Sequence, residues 1–175
     1  KIVCELSKGI RHFKFTPIIV VLKKNADSLI PKLKETNVII FQLKMNKNIF
    51  SMLNSLLEIR KIILHYKVRV IHAHLFHAML MACIVKLVRP SIKVIWTAHS
   101  INLGSFVRDL ITFLLRPFRN ADILFFKGMN KFYNIKNQYT IANGISFLDN
   151  NTIIHKNDKF TFLAVGRLEK VKNFK

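Results

Sequence analysis

VRVIHAHLFHAMLMACIVKLVRPSIKVIWTAHS, residues 68–100, reads as strand, helix, strand. VRVIHAH (68–74) is rich in β-branched residues, which suit a pleated and partly buried strand. LFHAMLMACIVKLV (75–88) is built from helix formers and stops at Arg89-Pro90, where the proline ring bars continuation. KVIWTAH (93–99) is a second strand. A strand, a crossover helix and a second strand form a βαβ unit, whose two strands run parallel. Each strand also ends on histidine. A side-chain period of two puts His72 and His74 on one face and Ile71 and Ala73 on the other.

The alternation extends in both directions. KIVCELSKGI is the end of an amphipathic helix with Ile2, Val3, Leu6 and Ile10 on one side. TPIIVVL (16–22) is a continuous apolar run, the pattern of a strand covered on both faces. Asp27 and Ser28 suit the cap of a short helix to Lys34, and VIIFQL (38–43) is a strand. Residues 48–67 form a long amphipathic helix. Beyond the central unit come a helix at 105–120 with Ser105 as N-cap, and a strand at 121–126. A short helix over MNKFYNI, a strand at 139–142 and a strand at 159–166 complete the pattern. Strands separated by helices of this length predict an α/β fold with a doubly wound, mostly parallel Rossmann-like sheet. The polar segment LDNNTIIHKND (148–158) is the best linker.

Composition narrows the partners. Of 175 residues, 51% are hydrophobic, too many for a disordered chain. Lys and Arg number 29 against 9 Asp and Glu, a formal net charge of +20, which favours phosphorylated, lipid or nucleic-acid polyanions. Nucleic acid is disfavoured, because the phenylalanines follow core periodicity and no base-reading motif is present. Cys4 and Cys83 match no metal or redox spacing and read as buried free thiols. A His-x-His strand is one way to begin a zinc site, yet no carboxylate lies near it in sequence, so no metal is expected.

In an open parallel sheet, ligands bind beyond the carboxyl ends of the strands, which makes His74 and His99 cleft candidates. His72 reads as buried and hydrogen-bonded, and His77 falls in the following turn with no assigned role. Near the other end, FLAVGRLEKVKNF (162–174) runs a strand into Gly166, then Arg167 and Lys172. Glycine allows close backbone approach, and two cations near a helix start suit a diphosphate.

Four of these segments together resemble one family. VGRLEKVKNF is similar to the segment that opens the C-terminal domain of GT-B glycosyltransferases of family 4 (glycosyl transferases group 1). IANGI (141–145) resembles their interdomain proline-asparagine-glycine segment. RVIHAHLFHA and VIWTAHS resemble their histidine-bearing strands. The resemblance implies an acceptor-binding Rossmann-like domain over residues 1–146, a linker over 147–158 and the beginning of a donor-binding domain over 159–175. The family's first strand with its glycine-rich loop, and the glutamate pair that holds the donor, are expected outside Lys1–Lys175, making the fold incomplete at both ends.

By the same resemblance, Gly166, Arg167 and Lys172 bind the donor diphosphate, His99 lines the reacting centre, His74 lies in the cleft and Gly144 makes the interdomain turn. The implied activity is sugar transfer from a nucleotide-sugar to a glycan or lipid-linked acceptor, with retention and without a metal cofactor, in cell-envelope polysaccharide or glycolipid synthesis. A nucleotide-sugar epimerase of the same fold and a basic nucleic-acid-binding module are the alternatives. Ala142, Lys127 and Arg69 depart from the usual proline, serine and aspartate.

The implied location is cytoplasmic, peripheral at the inner face of the plasma membrane. Helix 105–119 bears on it, with Phe106, Leu110, Phe113, Leu114 and Phe118 beside Arg108, Arg116 and Arg119. Its preferred reading is a sheet-covering helix with the apolar face in the core; an anionic membrane surface is the second.

Overall fold

A computed structural model of the chain describes residues 2–11, 13, 15–23, 38–46, 48–100, 103–126, 129 and 137–142. The chain divides into two units, Lys1–Asn143 and Gly144–Lys175, and every described residue belongs to the first. Helix α1 (Ile2–Arg11) leads to strand β1 (Ile18–Val21), then β2 (Ile39–Gln42) and α2 (Ile49–His65). The central unit is β3 (Val70–His74), α3 (Leu75–Val88) and β4 (Lys93–Thr97). Helix α4 (Phe106–Leu114), a single 3₁₀ turn (Arg116–Phe118), β5 (Ala121–Leu124) and β6 (Gln138–Thr140) follow. The short helix expected near residues 28–34, all of the one expected over 129–135 but Met129, and the strand at 159–166 lie outside the described residues.

Among the described residues every strand pair is parallel, as the crossover pattern predicts. Among the described residues they form two sheets, β1-β2 and β3-β4-β5-β6, where the periodicity predicts one. Periodicity locates a strand, but pairing is a long-range choice that hydropathy along the chain does not encode. β1 is also less enclosed than its unbroken apolar run suggests: Ile19 is buried and its three neighbours are partly exposed.

Register fixes the two faces of the larger sheet. Ala73 pairs with Trp96, which pairs with Asp122, so Ala73, Val94, Trp96, Ala98 and Leu124 share one side. Against it α3 packs Met79, Ala82, Cys83 and Val85. A helix apolar over most of its circumference is what such a buried position requires. Cys83 is free and buried, and burial pushes its thiol up to about 11, so it acts as a packing group. The Cys4 side chain lies outside the described residues. On α2, Asn48 Oδ1 accepts from the Phe50 N–H at 2.9 Å, the N-cap bond. The same helix ends with Lys67 at φ 51 and the Val68 N–H donating to the Ile63 carbonyl, a Schellman closure with lysine in the usual glycine place.

Two features tie the 3₁₀ turn to the sheet. Asn120 Oδ1 accepts from the Val94 N–H at 2.9 Å and from the Lys86 ammonium. Arg119 and Asp122, both buried, form a bidentate pair at 2.8 and 3.0 Å. The third arm of Arg119 donates to the Thr112 carbonyl at 2.6 Å, and its guanidinium lies 5.1 Å from the Trp96 ring centre. Burial raises the Asp122 carboxyl and the Arg119 guanidinium opposes that rise. Arg119 is therefore a core residue and not part of a basic surface.

Helix α4 corrects the preferred sequence reading. Its polar Thr112 is fully buried, with the hydroxyl donating to the Arg108 carbonyl at 2.8 Å. Its apolar side faces outward: Phe106 is 80% exposed, Val107 60%, Leu110 44%, Phe113 41% and Leu114 60%. The core contact is made by Thr112, with Leu115 and Phe118 just beyond the helix packed against the core cluster as the sequence reading expects of Phe118, and the Arg119 guanidinium bonds the Thr112 carbonyl. Ser105 does take the N-cap position, without a side-chain capping bond.

Candidate functional site

Three parallel strands end side by side. β3 closes on His74, β4 on Thr97 with His99 two residues on, and β5 on Leu124 with Phe125 next. The Ala98 N–H donates to the Ile123 carbonyl at 3.0 Å, so the ladder from β4 to β5 reaches to the residue before His99. Alternation sends Ala73, Trp96 and Ala98 to the α3 side and leaves His72, His74, Thr97 and His99 on the opposite face.

The register places His72 opposite Ile95 and His74 opposite Thr97. Each histidine nevertheless bonds the residue two places further along β4, as the slant of parallel pairing favours. His72 Nε2 lies 2.7 Å from Thr97 Oγ1, and His74 Nδ1 lies 3.0 Å from His99 Nε2. The His72 and His74 rings are 4.4 Å apart between centres, and His74 and His99 5.3 Å. Phe125 closes the far side, edge-on to His99 at 5.2 Å. The site is a graded stack that runs from the buried Thr97 hydroxyl to the half-buried His99 ring.

Local structure fixes that geometry. β3 becomes α3 with no loop: His74 is the N-cap with extended backbone, and Leu75 takes φ 69. A left-handed leucine costs about 1 kcal/mol, and such strain concentrates at functional sites. It turns the chain immediately after His74 and leaves that ring at the strand mouth.

All three rings are biased toward the neutral form. Burial lowers His72, with His99 adding to the effect. His74 is lowered to about 4, first by burial and then by His72 and His99. Burial lowers His99 as well. A neutral imidazole has one N–H donor and one bare nitrogen acceptor, the complement of a hydroxyl group. The His74–His99 contact itself needs one ring of each kind, so it opposes double protonation. Despite the basic chain, this stack offers hydrogen bonds and not positive charge.

The lowered values have a consequence for stability. Below pH 6.5 the unfolded chain takes protons that the folded rings refuse, so the unfolded state gains. Stability contributed by His74 is complete above pH 6.5, falls as pH drops, and stops falling near pH 4, where the folded ring also protonates. Urea midpoints measured between pH 8 and pH 4 should decline more steeply for wild type than for His74→Asn. Parallel curves would refute this.

The structure brings His74 and His99 together, as their strand-end positions suggest. His72 is hydrogen-bonded and partly buried, close to its structural reading, and His77 is exposed on α3 away from the stack. Gly166, Arg167, Lys172, Gly144 and Lys127 lie outside the described residues. Sequence reasoning missed Thr97 and Phe125. Thr97 had a signal, since it stands two residues before His99 on the same strand face. Phe125 had none, because its contact depends on how β5 lies beside β4. Among the described residues no cluster of three or more His, Cys, Asp or Glu is arranged to hold a metal ion.

The chain was compared with protein families and individual proteins. No curated protein and no solved structure matches it. The family model described as Glycosyltransferase Family 4 matches residues 1–134. That span contains all of β1 to β5 and every member of the histidine stack. Together with a mixed α/β fold of parallel sheets, it makes the chain a member of Glycosyltransferase Family 4, and the protein a transferase.

Proposed function

We propose that the protein is a retaining, hexosyltransferase-type enzyme that moves a sugar from a nucleotide-sugar to a glycan or lipid-linked acceptor. The setting is cell-envelope polysaccharide or glycolipid synthesis, at the cytoplasmic side of the plasma membrane. The observation that supports it most is the stack of neutral imidazoles at the mouths of β3 and β4, whose mixed donor and acceptor character suits sugar hydroxyls. His99, the half-buried outer member, is the ring that reaches substrate, and His74 holds it. No metal is assigned a part in the reaction.

Arg167 and Lys172 are the donor-diphosphate ligands in this reading, with Gly166 allowing the phosphate close to the backbone. Two fixed cations stabilise the nucleoside diphosphate as negative charge builds on it. Arg167→Ala or Lys172→Ala lowers kcat/KM by on the order of 10²-fold, chiefly through weaker donor binding. Donor titration and steady-state kinetics check this together; unchanged donor affinity and turnover in both variants would sink the assignment.

A further inference from the structure

We propose that the groove between β2 and α2 is a glycan-binding site, separate from the histidine stack, that holds a run of neutral sugar rings. The β1-β2 sheet has two faces. Ile19, Val38 and Ile40 pack against Val3 of α1 on one, and alternation turns Phe41 and Leu43 to the other. α2 lies along that second face and leaves a groove of about 850 Å³, within the range of small-molecule sites. A helix facing an apolar strand normally presents its apolar stripe. α2 does the reverse. On a helical wheel Ser51, Asn54, Glu58, Lys61 and His65 fall in one arc of about 80° without an apolar residue, and all five line the groove. Ile49, Leu53, Leu57 and Leu64 are exposed elsewhere on the helix, while Leu56, Ile59 and Ile63 pack on the core of the larger sheet. Core packing explains that last side of the helix. It does not explain a polar wall set against an apolar floor, which a ligand of both characters does.

Both ends of the groove are defined. At one, the Ser51 hydroxyl donates to the Lys44 carbonyl at 3.4 Å and accepts from the Asn46 N–H at 2.9 Å. At the other, the Tyr66 ring meets Phe41 edge-on at 5.8 Å and His65 at 4.6 Å. Ser51 to His65 spans about 21 Å of helix, long enough for several sugar rings in a row. A pyranose has an apolar face of C–H groups, which lies against a ring such as Tyr66, and a rim of hydroxyls that donate and accept. The wall matches that rim: the Asn54 amide does both, Lys61 donates and Glu58 accepts. Charge selects a neutral glycan. Lys61 donates to Glu58 at 2.7 Å, so the middle of the wall carries a matched ion pair. A phosphate or carboxylate there would meet the Glu58 carboxylate, and a wholly apolar ligand would strip water from both charges. Lys44 borders the groove only at its Ser51 end. The groove shares no residue with the histidine stack.

The test uses the full-length protein with maltotriose, mannotriose and triacetylchitotriose as probes, read by saturation-transfer NMR and calorimetry. Wild type binds at least one of the three. The double variant Asn54→Ala/Glu58→Ala weakens that binding by about tenfold or more, the scale for two lost hydrogen bonds to one ligand. Its circular dichroism spectrum is unchanged, since both side chains are exposed. Tyr66→Leu removes the ring and weakens binding by about fivefold. His99→Ala binds the trisaccharide as wild type does, because the stack lies outside the groove. No binding of any probe, equal binding by wild type and the double variant, or loss of binding in His99→Ala would overturn the proposal. So would inorganic phosphate that competes with the trisaccharide, which would assign the groove to an anion. Every readout is binding and none is sugar transfer, so the groove stands or falls independently of the proposed reaction.

Discussion

Asp122→Ala lowers the unfolding free energy by about 3–5 kcal/mol, the cost of breaking a buried ion pair by removing one partner. Both side chains are essentially without solvent contact, so the Arg119 guanidinium left behind has no water to replace the lost carboxylate. Its bond to the Thr112 carbonyl and its place near the Trp96 ring remain, yet neither neutralises its charge. Asp122→Asn keeps the volume and one acceptor and costs less. The double variant Arg119→Met/Asp122→Leu recovers most of the loss, because an apolar pair of similar size needs no desolvation compensation. Urea unfolding of the four proteins decides the matter. A loss under about 1 kcal/mol for Asp122→Ala would mean that the pair is solvated after all.

The second large effect concerns the histidine stack and rests on the proposed transfer reaction. His99→Ala lowers kcat by on the order of 10²-fold, the scale for losing one hydrogen-bonding group aimed at a reacting centre. His99→Asn retains part of the activity, since an amide supplies both a donor and an acceptor. His74→Phe keeps a ring in place but removes the partner of His99 Nε2, 3.0 Å away, and so frees the His99 tautomer. Nitrogen-15 NMR of labelled histidine reads that change directly: one fixed tautomer in wild type and a mixture in His74→Phe. Full turnover in His99→Ala would remove His99 from the reaction. An unchanged tautomer in His74→Phe would reduce His74 to packing.

A good share of the fold was legible in the sequence, for identifiable reasons. The apolar runs IIVV and KVIWT and the helix LFHAMLMACIVKLV announce themselves through composition and length, and the last was bounded to the residue by its proline. The histidine pairing followed from a period of two applied to adjacent strands. α4 was not legible. Its wheel is amphipathic, and amphipathicity states that a helix has two unlike faces without stating which is turned inward. That choice is a matter of tertiary contacts: Thr112 is fully buried and its carbonyl accepts from the buried Arg119, while Phe106, Leu110 and Phe113 are left exposed. The split into two sheets was equally hidden, since edge pairing depends on contacts between distant segments.

By itself the sequence determined the order of strands and helices, the parallel sense of their pairing, and the family. These are written in local composition and spacing, where each residue's preference is set by its near neighbours. Tertiary structure alone decided that the three imidazoles are held neutral, that Thr97 anchors the stack, and that α4 faces outward with its phenylalanines. Those properties arise from burial and from contacts between residues far apart in the chain, because a proton's affinity and a side chain's exposure are set by what surrounds them.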